Sequence, residues 1–526
     1  LEAIASHVLT ALDLSGVEAP ANPRLPLDDA ASQALAQEEL EAGAVLLRND
    51  ELLPLDAGAV GTVALVGVDD PTALLVMGGS AAVGLSSARI ASVADQLETR
   101  TGARPVVAPG TRGDVPLPPL RSVVSAVVRD DGAGTEQTVA LDEFALLDPP
   151  AEVGADWSAV LETAYEPTDS GPHVLTLTFA GEARLLVGGE ELATGFREAS
   201  PMVEGPEYPL HAVAHLTEGR SVRVRVEYRT GPAITIPGTP VRPGLRLGVE
   251  PVAERISAAV DAAAAADVAV LIVGRVTGEA MDADSIRLPG DQELLVRAVT
   301  AANPRTVLVT LSGGPVALPD GVQPAAVLHV WNPGEGFAPA LVRLLFGDAE
   351  PGGRLPLTFP GDEAQTPVAA SGRYPGADGV VDYDEGLLVG YRWYDAEEIE
   401  PAYPFGHGLG YTEIALDRFT AERIGDRITA RLTVRNSGAR TGKAVPQIYS
   451  SSPAPAGHPP QTLRAFAAVR LEPGESRRLS LDIPVRDLVA YDTEGTPSVH
   501  AGTYTFTAGW SSRDLVAASD VVVESS

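Results

Sequence analysis

At about 150 residues per domain, a chain of 526 residues holds three or four domains, so it is no single small binding module. Its 71 acidic and 38 basic side chains leave a net charge of −33, with Lys443 the only lysine, and nucleic acid or an anionic membrane would require a cationic surface instead. There is no cysteine, which excludes disulfides, thiolate zinc sites, iron–sulfur clusters and a cysteine nucleophile together. No apolar run approaches the roughly 18 residues of a membrane span.

The chain opens on Leu1 without a signal-like pattern. Helices are expected over 2–12 and 27–43, around Pro20, Pro23 and Pro26. They are too little for a core, and 1–43 reads as the tail of a preceding domain with its linker. From Val60 a β-branched run over 61–67 predicts a strand, Gly78-Gly79-Ser80 a turn, and the spacing over 87–97 a helix. Helices over 254–265, 292–302 and 337–346 then alternate with strands over 267–273, 306–311 and 326–331. Such alternation implies a mostly parallel sheet covered on both faces, an α/β sandwich. It is interrupted between 117 and 250, where period-2 strands (173–179, 183–187, 221–228) replace the helices, so an all-β domain is inserted. Past a Gly/Pro-rich stretch, strands over 428–434, 444–449, 477–483 and 503–508 with turns at Asn436-Ser437-Gly438 and Glu472-Pro473-Gly474 suggest a terminal β-sandwich. The expected division is therefore 1–43, then 44–116 and 251–374 as two parts of one α/β domain around 117–250, a linker 375–411, and the sandwich 412–526.

Ligands of parallel sheets bind beyond the carboxyl ends of the strands. Two loops lie there. One carries Gly78, Gly79, Ser80 and Ala81; the other, over 274–289, carries Glu279, Asp282 and Asp284. A carboxyl beyond a buried strand is partly removed from water, which favours its protonated form and suits it to donate a proton. The plainer reading is an acidic surface loop in an acidic chain. No Gly-x-Gly-x-x-Gly or Gly-Lys-Ser pattern supports a nucleotide site. His211 and His215 have metal-like spacing only on a helix, and in a strand-like segment they read as structural. Asp130-Asp131 reads as a solvated turn ahead of a calcium site.

The run Thr277-Gly-Glu-Ala-Met-Asp282 with Leu288-Pro289, Gln292, Leu295 and Val296 resembles the acid/base loop of family 3 glycoside hydrolases, the retaining β-glucosidase group. The resemblance extends in order through Glu41 to Asp50, Leu53-Pro54-Leu55, Asn303-Pro304, Gly314-Pro-Val316, Trp331, Leu345-Phe-Gly-Asp348, Pro351 to Pro360, Val389 to Tyr394 and Tyr403 to Tyr411. The last sandwich resembles the family's fibronectin type III-like domain and the insertion its PA14 domain. By this resemblance Glu279 is the general acid/base, with Asp282 and Asp284 as the fallback acids, and Gly78, Gly79 and Ser80 border the leaving-group subsite. The nucleophile aspartate belongs to an N-terminal (β/α)₈ barrel, expected upstream or on a separate chain. Ala280, Ala283 and Gly410 stand where the family usually has glycine, arginine and serine. Trp331, Trp393 and Tyr394 are expected to pack rather than stack on sugar, and His407 to hold the linker backbone. The implied partners are a glycoside substrate, the barrel and a second copy in a homodimer, with no cofactor, metal, nucleic acid or membrane. The compartment stays open, cytoplasmic slightly favoured over secreted. The competing reading is a non-catalytic carbohydrate- or protein-binding protein built on the same domains.

Overall fold

The computed structural model describes residues 29–79, 83–85, 89–198, 209–231, 244–279, 281–369, 374, 376, 380–454, 457–491 and 495–524. The α/β part comprises α1 (Asp29–Gly43), β1 (Val45–Asn49), β2 (Val63–Val68), α2 (Val93–Thr101), β3 (Val106–Thr111), α3 (Ala253–Ala265), β4 (Val268–Gly274), α4 (Gln292–Ala302), β5 (Thr306–Leu311), β6 (Ala326–His329) and α5 (Phe337–Phe346). All seven residues of β4 are buried, as a strand covered on both faces requires. The sheet order is β1-β6-β5-β4-β2-β3, parallel except for β1 against β6. Val270 and Ile272 face the layer of α1, α2 and α5, with Leu40, Leu97 and Leu341. Ala269, Leu271 and Val273 face α3 and α4, with Ala259, Leu295 and Val299.

From β2 the chain crosses through α2 to β3 on one side; from β4 it crosses through α4 to β5 on the other. Right-handed crossovers in opposite directions put the two helices on opposite faces. The crevice that opens is at the carboxyl ends of β2 and β4, the switch point of the sheet.

Two elements differ from expectation. The helix expected over 87–97 starts at Val93, because Ser92 caps it by accepting from Asp95 N at 3.3 Å, and it ends at the left-handed Gly102. Strand β3 was not legible, since Pro105 and Pro109 flank its valines; as the edge strand of the sheet it tolerates them.

The inserted region is a nine-stranded antiparallel sheet assembly with its own core around Phe144, Trp157, Leu161, Leu175, Leu177 and Tyr228. The segments expected as two strands are one, Gly171–Val187, which turns at Gly181 (φ 130°). Its first half pairs with Leu210–Leu216 and Gly244–Pro251, its second with Val222–Arg229 and Glu190–Arg197. Asp130 accepts from Ala133 N and Gly154 N at 2.7 and 2.8 Å, a turn held by its own backbone. The C-terminal β-sandwich buries Leu432, Ile448, Tyr504 and Phe506. Its strand expected over 444–449 is split into Gly442–Ala444 and Gln447–Ser450 because Pro446 has no N–H to pair.

The linker is bonded back onto the sheet. Leu355 N donates to His407 O and Gly406 N to Leu355 O, both at 2.8 Å, while His407 Nε2 meets Leu47 O of β1 at 2.8 Å, so His407 holds a strand of the sheet rather than the linker. A side chain at Gly410 would overlap the Glu350 carboxylate, which accepts from Tyr411 N and Lys443 N. That accounts for glycine in place of serine.

His329, fully buried on β6, contacts Thr310 Oγ1 through Nδ1 at 2.9 Å and packs edge-on to Trp331 and Phe359. Burial lowers its pKa from 6.5 to about 3. The unfolded chain takes up this proton near 6.5 and the folded chain does not, so its share of stability is complete above that pH. It is lost by up to about 1.4 kcal/mol per unit as pH falls toward 3. Denaturant unfolding of His329→Gln at pH 7, 5 and 4 should show a shallower acid decline than the parent; identical slopes would remove His329 from the acid response.

Candidate active site

The loop after β4 is closed at its base by Gln292, whose Oε1 accepts from Gly274 N at 2.8 Å and whose Nε2 donates to Gly274 O at 2.9 Å and Pro289 O at 3.1 Å. Inside it the buried Arg275 donates to the carbonyls of Ser285 and Arg287, folding the return limb over the outgoing one. Ala317 N and Glu363 bind that limb at Ile286. Glu279 sits near the tip.

The loop after β2 meets this tip. Gly78 N donates to Thr277 O at 2.8 Å and Glu279 N to Gly78 O at 3.3 Å, a parallel bridge centred on Gly78 and Gly278. Gly79 has φ 78°, and a Cβ placed on it would lie 2.5 Å from the Glu279 Cβ and 3.1 Å from its N. Only glycine meets both demands. The loop after β6 joins in through Asn332, whose Oδ1 accepts from Thr277 Oγ1 and whose Nδ2 donates to Leu74 O, each at 3.2 Å. Three loops from three strand ends thus fix the backbone on which Glu279 stands.

Of the predicted site residues, Glu279 and Gly79 are brought together, and Ser80 lies outside the described residues. The Glu279 side chain is exposed in this chain, where partial removal from water was expected; the described loops support its backbone and leave its carboxyl facing solvent. Asp282 accepts from the Tyr374 hydroxyl, and both oxygens of Asp284 are taken up by Arg197. Trp331 donates from its ring N–H to Gly43 O at 3.0 Å, and Trp393 and Tyr394 are buried against each other.

Two residues escaped the sequence reading. Asp114, four per cent exposed, accepts from His211 Nε2 at 2.8 Å and from Val276 N at 3.0 Å. Arg197, on the inserted strand Glu190–Arg197, grips Asp284. A signal existed for the first, since Asp114 follows the carboxyl end of a parallel strand, the same position that singled out Glu279. Among the described residues no group of three His, Cys, Asp or Glu is placed to hold a metal ion, and no helix is long and apolar enough to cross a membrane.

Comparison with known proteins agrees with this architecture. The sequence profile of the glycosyl hydrolase family 3 C-terminal domain matches residues 44–411, and that of the fibronectin type III-like domain residues 444–512. A β-glucosidase of Rhizobium radiobacter is 35% identical over 544 residues, covering 98% of this chain and 66% of that protein. A β-glucosidase of Kluyveromyces marxianus is 34% identical over 320 residues, 59% of this chain and 38% of that protein. Among solved structures, DesR, a β-glucosidase from Streptomyces venezuelae in complex with D-glucose, superposes with a TM-score of 0.73 at 29% identity, covering 98% of this chain and 63% of that one. The chain therefore spans at most about two thirds of the length of these relatives. With the profile of its C-terminal domain matched across most of the sequence, the chain belongs to glycosyl hydrolase family 3.

Proposed function

We propose that this chain supplies the general acid/base of a retaining β-glycosidase, in the first place a β-glucosidase acting on terminal non-reducing β-D-glycosides of short oligosaccharides or of aryl and natural-product aglycones. The observation that carries the reading is Glu279 at the switch point of the sheet, backed by a glycine that leaves room for nothing else. The nucleophile is an aspartate of a (β/α)₈ barrel domain or chain that closes over this exposed carboxyl. In the first step Glu279 gives its proton to the glycosidic oxygen as the bond from that oxygen to the anomeric carbon breaks and the aspartate forms a glycosyl ester. In the second, Glu279 takes a proton from water, which attacks the same carbon and releases the sugar with its configuration kept. The two carboxyls of such a pair stand about 5–5.5 Å apart. The inserted region is a PA14-like domain on the leaving-group side, which favours short or compact aglycones.

Hydrolysis of p-nitrophenyl β-D-glucoside by the native full-length protein, followed by proton NMR within the first minutes, tests the reading. The β anomer of glucose should appear before the α anomer. Early α anomer would overturn the retaining mechanism, and absence of turnover the glycosidase reading.

A further inference from the structure

The inserted domain touches the Glu279 loop at two points, one on each side of the glutamate. On the near side His211, from the inserted strand Leu210–Leu216, meets Asp114 Oδ1 at 2.8 Å, and Asp114 Oδ2 accepts from Val276 N at 3.0 Å, three residues before Glu279. Both side chains are buried, at nine and three per cent exposure. The approach is prepared by Gly290, left-handed at φ 68°, where a Cβ would press on His211 Nδ1 at 3.1 Å. On the far side Arg197 holds both oxygens of Asp284, five residues after Glu279.

Between these contacts there is no apolar core. A cavity of about 250 Å³ separates them, lined by Asp114, His211, Arg275, Asp284, Arg287 and Glu293. The apolar joint between insertion and sheet lies elsewhere, in the small cluster of Leu117, Val174 and Val252 with Ile256. The two polar contacts therefore carry the registration of the catalytic loop against the insertion. Because Asp114 as a carboxylate only accepts, His211 presents Nε2–H to it, and one carboxylate joins an inserted strand to the backbone of the catalytic loop.

From this we propose that the inserted domain is a clamp that positions the acid/base. His211 with Asp114, and Arg197 with Asp284, act as positioning residues that fix the Glu279 carboxyl through the loop backbone. The inference rests on the proposed role of Glu279 and assigns the insertion a part in proton transfer, beyond shaping the leaving-group side. A displacement of about 1 Å at a reacting group lowers rate about 10²-fold, and here the loss should fall on the step that needs the proton.

The test uses the native full-length protein and two substrates, phenyl β-D-glucoside, whose leaving group requires protonation, and 2,4-dinitrophenyl β-D-glucoside, whose leaving group does not. Asp114→Asn replaces one acceptor oxygen with a donor and should lower kcat/KM for the phenyl glucoside about 10²-fold while sparing the dinitrophenyl glucoside. Arg197→Gln should do the same more weakly. His211→Gln, whose amide can donate from nearly the same place, should retain the parent's ratio, and His211→Ala should not. Glu279→Ala, run alongside, should show the same selectivity in larger measure. If Glu279→Ala shows no leaving-group selectivity, the acid assignment falls. If it does and the folded clamp variants lose both substrates equally or neither, the clamp falls. Should Asp114→Asn not fold, Arg197→Gln and the His211 pair decide.

Discussion

Glu279→Ala is expected to lower turnover of a glucoside with a poor leaving group by about 10²–10⁴-fold, the usual span for loss of a positioned general acid. That corresponds to about 2.7–5.5 kcal/mol of transition-state stabilisation. The loss should shrink as the leaving group improves, because dinitrophenolate departs without a proton and the first step then needs only the nucleophile. With such a substrate the slow step becomes release of the glycosyl-enzyme, where water has lost its base. Azide, which attacks without surrendering a proton, should restore turnover and yield β-glucosyl azide. The exposure of Glu279 leaves access for the anion once the side chain is gone. Unchanged activity would mean that another carboxylate is the acid, Asp282 being the next to replace, since Asp284 is engaged at both oxygens by Arg197.

Gly79→Ala should reduce activity about 10²-fold while leaving the protein folded. The new methyl would sit 2.5 Å from the Glu279 Cβ, whereas carbon atoms rest at about 3.5–4.0 Å. Relief requires a shift of roughly 1 Å at the catalytic side chain, enough for that loss. The left-handed φ of 78° adds about 1–2 kcal/mol for any residue with a Cβ. Gly78→Ala is the matched control: its nearest neighbour would be Met281 Sδ at 3.4 Å, ordinary contact with a flexible chain, and its kcat should stay within a few-fold of the parent. Equal losses in the two variants would show that the turn as a whole, and not the contact with Glu279, sets the rate.

What the sequence disclosed followed from pattern. The strands β4 and β5 are unbroken apolar runs and α5 a strongly amphipathic one, so local composition sufficed to place them. Strand β3 is as buried in hydrogen bonds on one side as its neighbours, yet its prolines mask it, because an edge position relaxes the rule that excludes them. At the site, Glu279 stood out through position beyond a strand and through motif. The groups that hold it did not, since His211 lies 97 and Arg197 87 positions from its partner, and pairs at that separation leave no periodic trace. Gly79 was legible as a turn and misjudged as to purpose: its role is to leave space for a side chain contributed by another strand's loop, 200 positions away.

Arg112 and Glu250, 138 positions apart, are joined by an ion pair at 2.7 Å where the chain leaves the α/β domain and returns to it. For an unfolded chain, closing a loop of that length would oppose folding by about 4 kcal/mol on the (3/2)RT ln n scaling. The inserted sheets enclose a core built from their own strands, so they can form before β4 finds β2. Once they do, the two ends emerge side by side and β4 is delivered to the sheet on a short tether. The order of assembly is thereby biased toward insertion first and parallel sheet second, and the crevice between β2 and β4 is the last part of the α/β domain to take shape.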